Sequence, residues 1–349
     1  MRAITILPGV AGSLRLDDIA EPPLSDGSIL VRTRALGICG TDHEILNGLY
    51  GSAPAGAERL VLGHESLGIV QEAPDGCGFA AGQPVVGIVR RPDPLPCPSC
   101  AAGEWDMCRN GGYTERGIKE RHGFGSERFR IEPGFAVAVD PALGLAGVLM
   151  EPASIVAKAW DHVERIGRRS QAWSPGNLLV TGAGPIGLLA ALMGRQRGLE
   201  LHVLDRHKEG PKPALIRDLG GTHHVEARSL CDLRFDIVME CTAAPALIVE
   251  AMARCAPSGI VCLLGVSATG LKSEFDIGGF NRKLVLGNEV VFGAVNANRS
   301  HYRQAGEALA RADRTWLDRL ITRRVPLSRW RDAFTPTPDD IKVVLEFSE

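Results

Sequence analysis

Aromatic residues make up only 5% of the 349-residue chain, and three of them are tyrosine. A bulky aromatic-walled pocket is therefore not expected. Net charge is nearly absent as well: 39 Lys and Arg against 41 Asp and Glu leave −2 at pH 7. Without a basic field to gather nucleic acid or an acidic membrane surface, neither is expected as a partner, and a small neutral or weakly charged substrate is. No stretch offers the ~20 uninterrupted apolar residues of a membrane span. The opening MRAITILPGVAGSLRLDD lacks the charged flank and continuous apolar core of a signal peptide, so the expected location is the cytoplasm. The nine cysteines are odd in number. Three of them crowd between Cys97 and Cys108, which suits metal ligation in a reducing compartment better than a disulfide framework.

What is present divides by texture. With 45% hydrophobic residues there is enough apolar material for two ordinary domains. The first part, to about residue 157, is rich in Gly and Pro, with short β-branched runs such as GIV at 68–70 and QPVVGIV at 83–89, an all-β pattern. From Asn177 the text alternates strand and helix: LLVTG, IGLLAALMGRQRG, LELHVLD, then FDIVMEC, ALIVEAMARCA and GIVCLLG. Such alternation implies a parallel sheet covered by helices, an α/β domain. The end carries one amphipathic stretch, YRQAGEALARA, and a closing KVVLEF strand suited to packing back on the first domain. The expected division is 1–157, 158–300 and 301–349, with the polar segment RIGRRSQAWSPG as a candidate junction.

The strand at 178–181 runs directly into Gly182, Gly184 and Gly187 in the pattern GxGxxG, followed by an apolar helical run. Gly182 permits the tight turn, Gly184 lets a pyrophosphate approach the backbone, and Gly187 allows helix and strand to pack closely. Gly182, Gly184, Pro185, Ile186 and Gly187 are thus candidate cofactor residues. Asp205, about twenty residues on, ends the second strand, where a carboxylate accepts from ribose hydroxyls and repels a 2′-phosphate. That favours NAD, slightly, because Arg206, His207 and Lys208 follow and a cation there accommodates NADP.

Catalytic zinc sites draw about three ligands from Cys, His and carboxylate. Three segments supply them: Cys39 in GICGTD, His64 and Glu65 in GHE, and Glu151 in an acidic MEP turn. On these segments the chain resembles the zinc-dependent medium-chain dehydrogenases, and the resemblance covers its whole length. GICGTDHEILNGLYG, VVGIVRRP, GGYTERGIKERHGF, VCLLGVS, VFGAVNAN and LITRRVPL are similar to the glucose 1-dehydrogenase branch.

The resemblance implies a GroES-like β-rich catalytic domain joined to a Rossmann doubly wound nucleotide domain, and a homodimer or homotetramer. It implies a catalytic zinc on Cys39, His64, Glu65 and Glu151, which favours loss of the alcohol proton while hydride passes to NAD or NADP. Thr41 matches the family's proton-relaying hydroxyl. Many relatives have a histidine three residues after it; here the residue is Glu44, beside His43, which leaves the exit route open. Cys97, Cys100 and Cys108 match a structural zinc lobe, but Pro94 stands where a further cysteine is usual, and Asp93 is the nearest substitute ligand. The other cysteines, Cys77, Cys231, Cys241, Cys255 and Cys262, are assigned no function.

The same branch places a sugar against Glu115, Glu151 and Asn296, with Asn298 and His301 as neighbours; the plainer alternatives are an ion pair of Glu115 with Arg116 or Arg121 and a turn cap for Asn296. The expected reaction is oxidation of an aldose, D-glucose foremost, to its lactone. Polyol, other sugar or cyclitol oxidation is the alternative, and a nucleotide-sensing protein on the same fold the non-enzymatic one.

Overall fold

Apolar and polar residues alternate through ILVRTRA, which buries one face of a strand, and the chain forms a ten-residue strand there, Ile29–Ile38. This computed structural model describes residues 1–230, 232–268, 270–271 and 274–347; Cys231 lies outside them. In chain order the first elements are β1 (Arg2–Ile6), β2 (Arg15–Asp18), β3 (Ile29–Ile38), α1 (Gly40–Leu46), β4 (Leu60–Val61), β5 (Glu65–Glu72) and β6 (Pro84–Gly87). Then come β7 (Arg90–Arg91), α2 (Pro98–Ala101), β8 (Thr114–Arg116), β9 (Glu120–Arg121), β10 (Arg128–Ile131), β11 (Ala136–Ala138) and α3 (Met150–Gly167).

The alternating region supplies β12 (Asn177–Thr181), α4 (Pro185–Gln196), β13 (Glu200–Leu204), α5 (Pro211–Asp218), β14 (Thr222–His224), β15 (Phe235–Glu240), α6 (Pro245–Ala253), β16 (Cys255–Leu263), α7 (Ile277–Gly287) and β17 (Val290–Gly293). The chain closes with α8 (Arg299–Ala310), α9 (Arg314–Leu320), β18 (Ile321–Pro326), α10 (Trp330–Ala333) and β19 (Lys342–Glu346).

Two compact units result: Met1–Ser154 with Asn296–Glu349, and Ile155–Val295. In the first, the main sheet runs β11-β6-β5-β3-β19-β18, with β10 also on β3. The closing strand β19 pairs antiparallel with β3, setting Val344 opposite Gly37. Its core gathers Ile4, Leu36, Phe124, Phe129, Val343 and Leu345, each such side chain contributing about 1.5–3 kcal/mol on burial. The Phe124 and Phe129 rings are tilted with centroids 4.7 Å apart.

In the second unit all six strands are parallel, in the order β14-β13-β12-β15-β16-β17. Leu179, Leu204, Phe235, Val238 and Val261 form part of its core. The order reverses between β12 and β15, the point where open α/β sheets bind dinucleotides.

One local expectation is corrected. Glu151 and Pro152 do not form a turn; they lie in the first turn of the 18-residue helix α3, where proline is tolerated because its missing N–H has no intrahelical partner. The division between the units falls inside this helix, and the polar segment RIGRRSQAWSPG begins at its carboxyl end. The helical run Pro141–Gly167 has the length and apolarity to cross a membrane, yet 83% of its most apolar window is buried inside the protein, as core helices are.

Candidate active site

Cys39 follows directly on β3 and is the N-cap of the short helix α1. His64 and Glu65 stand at the start of β5, which pairs with β3 so that Glu65 lies opposite Gly37. A Cβ at Gly37 would sit 2.0 Å from Glu65 Oε2, so only glycine leaves room for that carboxylate. The Cys39 sulfur, a His64 ring nitrogen and a Glu65 oxygen all lie within 4.8 Å of one another. Cys39 Sγ is 3.0 Å from His64 Nε2, and His64 Nδ1 faces Asp42 Oδ1 at 3.5 Å, long for a hydrogen bond. Burial alone would lower the His64 pKa; the Cys39 and Asp42 charges outweigh it and hold it well above its ordinary value.

Glu151 is buried beside this group. Burial pushes its carboxyl up to about 7, with His64 opposing and Glu65 reinforcing the shift. The Cys39 thiol, the His64 imidazole and the Glu65 carboxylate form a donor set that a divalent zinc ion fits; Glu151, buried within reach of their charges, is not drawn into that close cluster. Thr41 sits in the first turn of α1, two residues past Cys39 and half-buried; His43 and Glu44 follow on the same helix.

A second polar cluster surrounds Glu115, which is 4% exposed. Its Oε1 accepts from Arg90 Nε at 3.1 Å, Arg90 Nη2 at 3.0 Å and Asn296 Nδ2 at 2.7 Å. Its Oε2 has no hydrogen-bond partner among the described residues. The ion-pair partner is therefore Arg90, from the neighbouring strand β7, rather than Arg116 or Arg121. Asn296 has φ +61° and its own Oδ1 accepts from Ala297 N at 2.9 Å. Asn298 caps α8 and donates to Asp106 Oδ1 at 2.9 Å, while His301 Nδ1 accepts from Asn298 N at 3.2 Å.

In the other unit the glycine loop has the form its sequence requires. Gly182 has φ +88°, and a Cβ at Gly187 would meet the Gly182 carbonyl oxygen at 1.8 Å. At Gly184 a Cβ would meet nothing within 4 Å; it is the N-cap of α4, with Pro185 and Ile186 opening the helix, so open space faces a helix N-terminus. Asp205 Oδ2 accepts from Ala183 N at 2.8 Å, and Oδ1 from His207 N at 3.0 Å and His207 Nδ1 at 2.6 Å. Burial raises the Asp205 pKa, but these bonds outweigh it and hold it below the usual value. Arg206 and Lys208 are exposed.

Comparison with known proteins decides the family. Residues 144–347 match the model "Glucose dehydrogenase C-terminus" and residues 25–141 the model "Alcohol dehydrogenase GroES-like domain". Glucose 1-dehydrogenase 2 of Vulcanisaeta moutnovskia is 40% identical over 99% of both chains, and glucose 1-dehydrogenase of Methanocella arvoryzae 36% identical over 99% of both. The chain belongs to the glucose 1-dehydrogenase branch of the zinc-dependent medium-chain dehydrogenases. The structure of Haloferax mediterranei glucose dehydrogenase in complex with NADP, Zn and gluconolactone matches with TM-score 0.92 and 31% identity, covering 100% of both chains. Like its family, this dehydrogenase is a zinc- and NAD(P)-dependent oxidoreductase.

The dehydrogenase's cysteine lobe departs from the sequence expectation. Cys97, Cys100 and Cys108 bring their sulfurs within 4.8 Å of one another. The main-chain N–H of Arg109, then that of Cys100, lowers the Cys97 thiol to about 6, as suits a metal-binding sulfur. The Asp93 carboxylate is not brought into this group. Its Oδ1 accepts from Leu95 N at 2.8 Å, and what Asp93 offers the Cys100 sulfur is its main-chain N–H.

Three site residues escaped the sequence. Asp42, fully buried, accepts from Cys39 N at 3.0 Å and faces His64; its place in GICGTD, three residues past the cysteine, was a usable signal. Lys342 gave none, and Arg90, inside the family-like VVGIVRRP, gave none that pointed to Glu115. Lys342 Nζ donates to both Glu65 oxygens at 2.6 Å and to Ile38 O at 3.1 Å. Burial would lower its pKa, but the charge of Glu65 raises it overall.

Proposed function

We propose that the enzyme oxidises the C1 hydroxyl of an aldose, D-glucose foremost, to the lactone: the C1 hydrogen leaves as hydride to NAD or NADP and the hydroxyl proton leaves for solvent. The observation that carries the substrate class is the Arg90, Glu115 and Asn296 cluster, in which Glu115 Oε2 has no hydrogen-bond partner among the described residues. A polyhydroxylated substrate meets such a carboxylate with a hydroxyl donor, whereas an apolar alcohol leaves it unpaired.

Cys39, His64 and Glu65, with Glu151 beside them, would hold a zinc ion, which would supply the Lewis acidity that favours loss of the hydroxyl proton. The Asp42 carboxylate on the Nδ1 side of the His64 ring would favour the tautomer that leaves Nε2, beside the Cys39 sulfur, available as a ligand. The Thr41 hydroxyl relays the proton outward. Glu115 and Asn296 bind sugar hydroxyls, and Glu151 serves both metal and sugar. On the cofactor side, Gly182, Gly184, Pro185, Ile186 and Gly187 present helix N–H groups to the pyrophosphate and Asp205 accepts from ribose. The Asp205 charge places NAD slightly ahead of NADP; exposed Arg206 keeps NADP as an acceptor, and the Haloferax relative carries NADP.

A homodimer or homotetramer is proposed to assemble along β17, the last strand of its sheet. Helix α7, which precedes it in the chain, has no buried residue, and Ile277, Val285 and Leu286 are exposed, a liability that a second copy removes. A cytoplasmic location accords with eight free cysteines among the described residues.

A panel of aldoses, polyols and cyclitols, offered to zinc-replete enzyme with NAD and with NADP, tests the reading. D-glucose is expected to give the highest kcat/KM. A polyol or cyclitol ahead of every aldose replaces the substrate assignment, and no turnover with any of them defeats it.

A further inference from the structure

Glu240 ends β15 with none of its surface exposed, and among the described residues no cation stands within ion-pair distance of it. Its oxygens instead accept four hydrogen bonds. Oε1 receives Thr181 Oγ1 at 3.2 Å, Thr242 N at 2.7 Å and the Thr242 hydroxyl, and Oε2 receives Ala243 N at 3.2 Å. Burying a carboxylate away from any cation is unfavourable, and the donors offset that only in part. An apolar residue would fill the space without the penalty, so stability alone does not account for the group.

Its position does. Thr181 and Glu240 face each other in register at the carboxyl ends of β12 and β15, the two strands between which the sheet order reverses and a dinucleotide crevice opens. Thr242 turns its hydroxyl to Glu240 and its methyl to the glycine loop: a Cβ at Gly182 would lie 2.7 Å from Thr242 Cγ2. Ala243, next along, has φ +62°, a left-handed conformation unfavourable for a residue with a side chain. Its carbonyl accepts from Ser267 Oγ at 2.6 Å. One carboxylate thus ties the end of β12, the Thr242 rotamer and the strained turn together.

We propose that Glu240 is a positioning residue for the nicotinamide dinucleotide. It acts through Thr242 and Ala243, holding the wall beside Gly182 in its binding geometry before the cofactor arrives. The proposal rests on the assignment of the glycine loop to NAD(P).

The test is the Kd of NADH and of NADPH for the zinc-loaded full chain, read by nicotinamide fluorescence. Glu240→Gln keeps the size but turns an amide donor toward groups that are themselves donors. It is expected to raise both Kd values by about tenfold, with zinc content and near-UV circular dichroism unchanged. Thr242→Val keeps the shape and removes the hydroxyl; it is expected to raise Kd by roughly fivefold, and the double variant to bind no more than about twofold more weakly than Glu240→Gln alone, because both substitutions break one linkage. A folded Glu240→Gln enzyme with Kd within about twofold of wild type overturns the proposal, as do effects that simply multiply in the double variant. If Glu240→Gln does not fold, Thr242→Val decides, and a Kd within about twofold of wild type overturns it. Wild-type enzyme that binds neither dinucleotide defeats the cofactor assignment instead, a different and recognisable failure.

Discussion

Lys342 Nζ sits 2.6 Å from each carboxylate oxygen of Glu65, although 277 residues separate the two in sequence. Both side chains are buried, 1% and 2% exposed. The last strand of the chain therefore supplies the countercharge for a residue of the candidate metal group, through the pairing of β19 with β3.

Removing one partner of a buried pair strands the other charge, at about 3–5 kcal/mol. Lys342→Met is expected to lose that much stability in denaturant unfolding, and the double variant with Glu65→Gln to recover most of it. A single variant within about 1 kcal/mol of wild type would show that Glu65 finds its countercharge elsewhere.

Asp42 makes a second prediction. Asp42→Asn leaves a neutral amide facing His64 Nδ1, so the ring's orientation and tautomer are less firmly set. Zinc affinity at the catalytic group, measured by chelator competition, is expected to fall about 10–100-fold. Unchanged affinity would mean that packing alone orients His64.

These two residues show where the sequence is legible and where it is not. The glycine loop, the GICGTD and GHE segments and the alternation of strand and helix are local patterns, each readable in a short window. Cys39, Asp42, His64 and Gly182 belong to such windows. Lys342 and Arg90 take their roles from strand pairing; nothing near Lys342 distinguishes it from a surface cation, and the family-like segment VVGIVRRP around Arg90 does not reveal its partner. The helical setting of Glu151 was not readable, because Pro152 signals a break and a helix start with equal force. At Asp93 a carboxylate close in sequence to the cysteines was expected to join them, but the amide two residues on takes its Oδ1.

The cysteine lobe yields a zinc count. The gathered sulfurs of Cys97, Cys100 and Cys108 predict two zincs per chain in purified enzyme, and because the Asp93 carboxylate stands outside that group, Asp93→Ala is expected to leave the count unchanged. One zinc per chain would leave the lobe without a metal-binding role, and a count lowered by Asp93→Ala would show that the carboxylate turns to the metal.

Glu132 gives the pH dependence a sign. It accepts from Arg91 Nη2 at 2.8 Å and Arg121 Nη2 at 2.6 Å. Burial raises its pKa, but these guanidinium groups outweigh that and hold it below the ordinary 4.5. A depressed carboxyl pKa stabilises the folded state above the unfolded value and ceases to do so as pH falls through the folded one. Wild-type Tm is therefore expected to fall more steeply than that of Glu132→Gln as the pH drops below 4.5. Parallel acid limbs would contradict the assignment.

The most direct test of a zinc-dependent aldose dehydrogenase is to strip the enzyme with chelator, return zinc stepwise, and follow nicotinamide reduction with D-glucose. The stripped protein should be inactive, zinc should restore turnover in wild type, and Cys39→Ser should stay inactive at the same zinc concentration. Undiminished turnover by the stripped enzyme, or full activity in Cys39→Ser, would contradict the account.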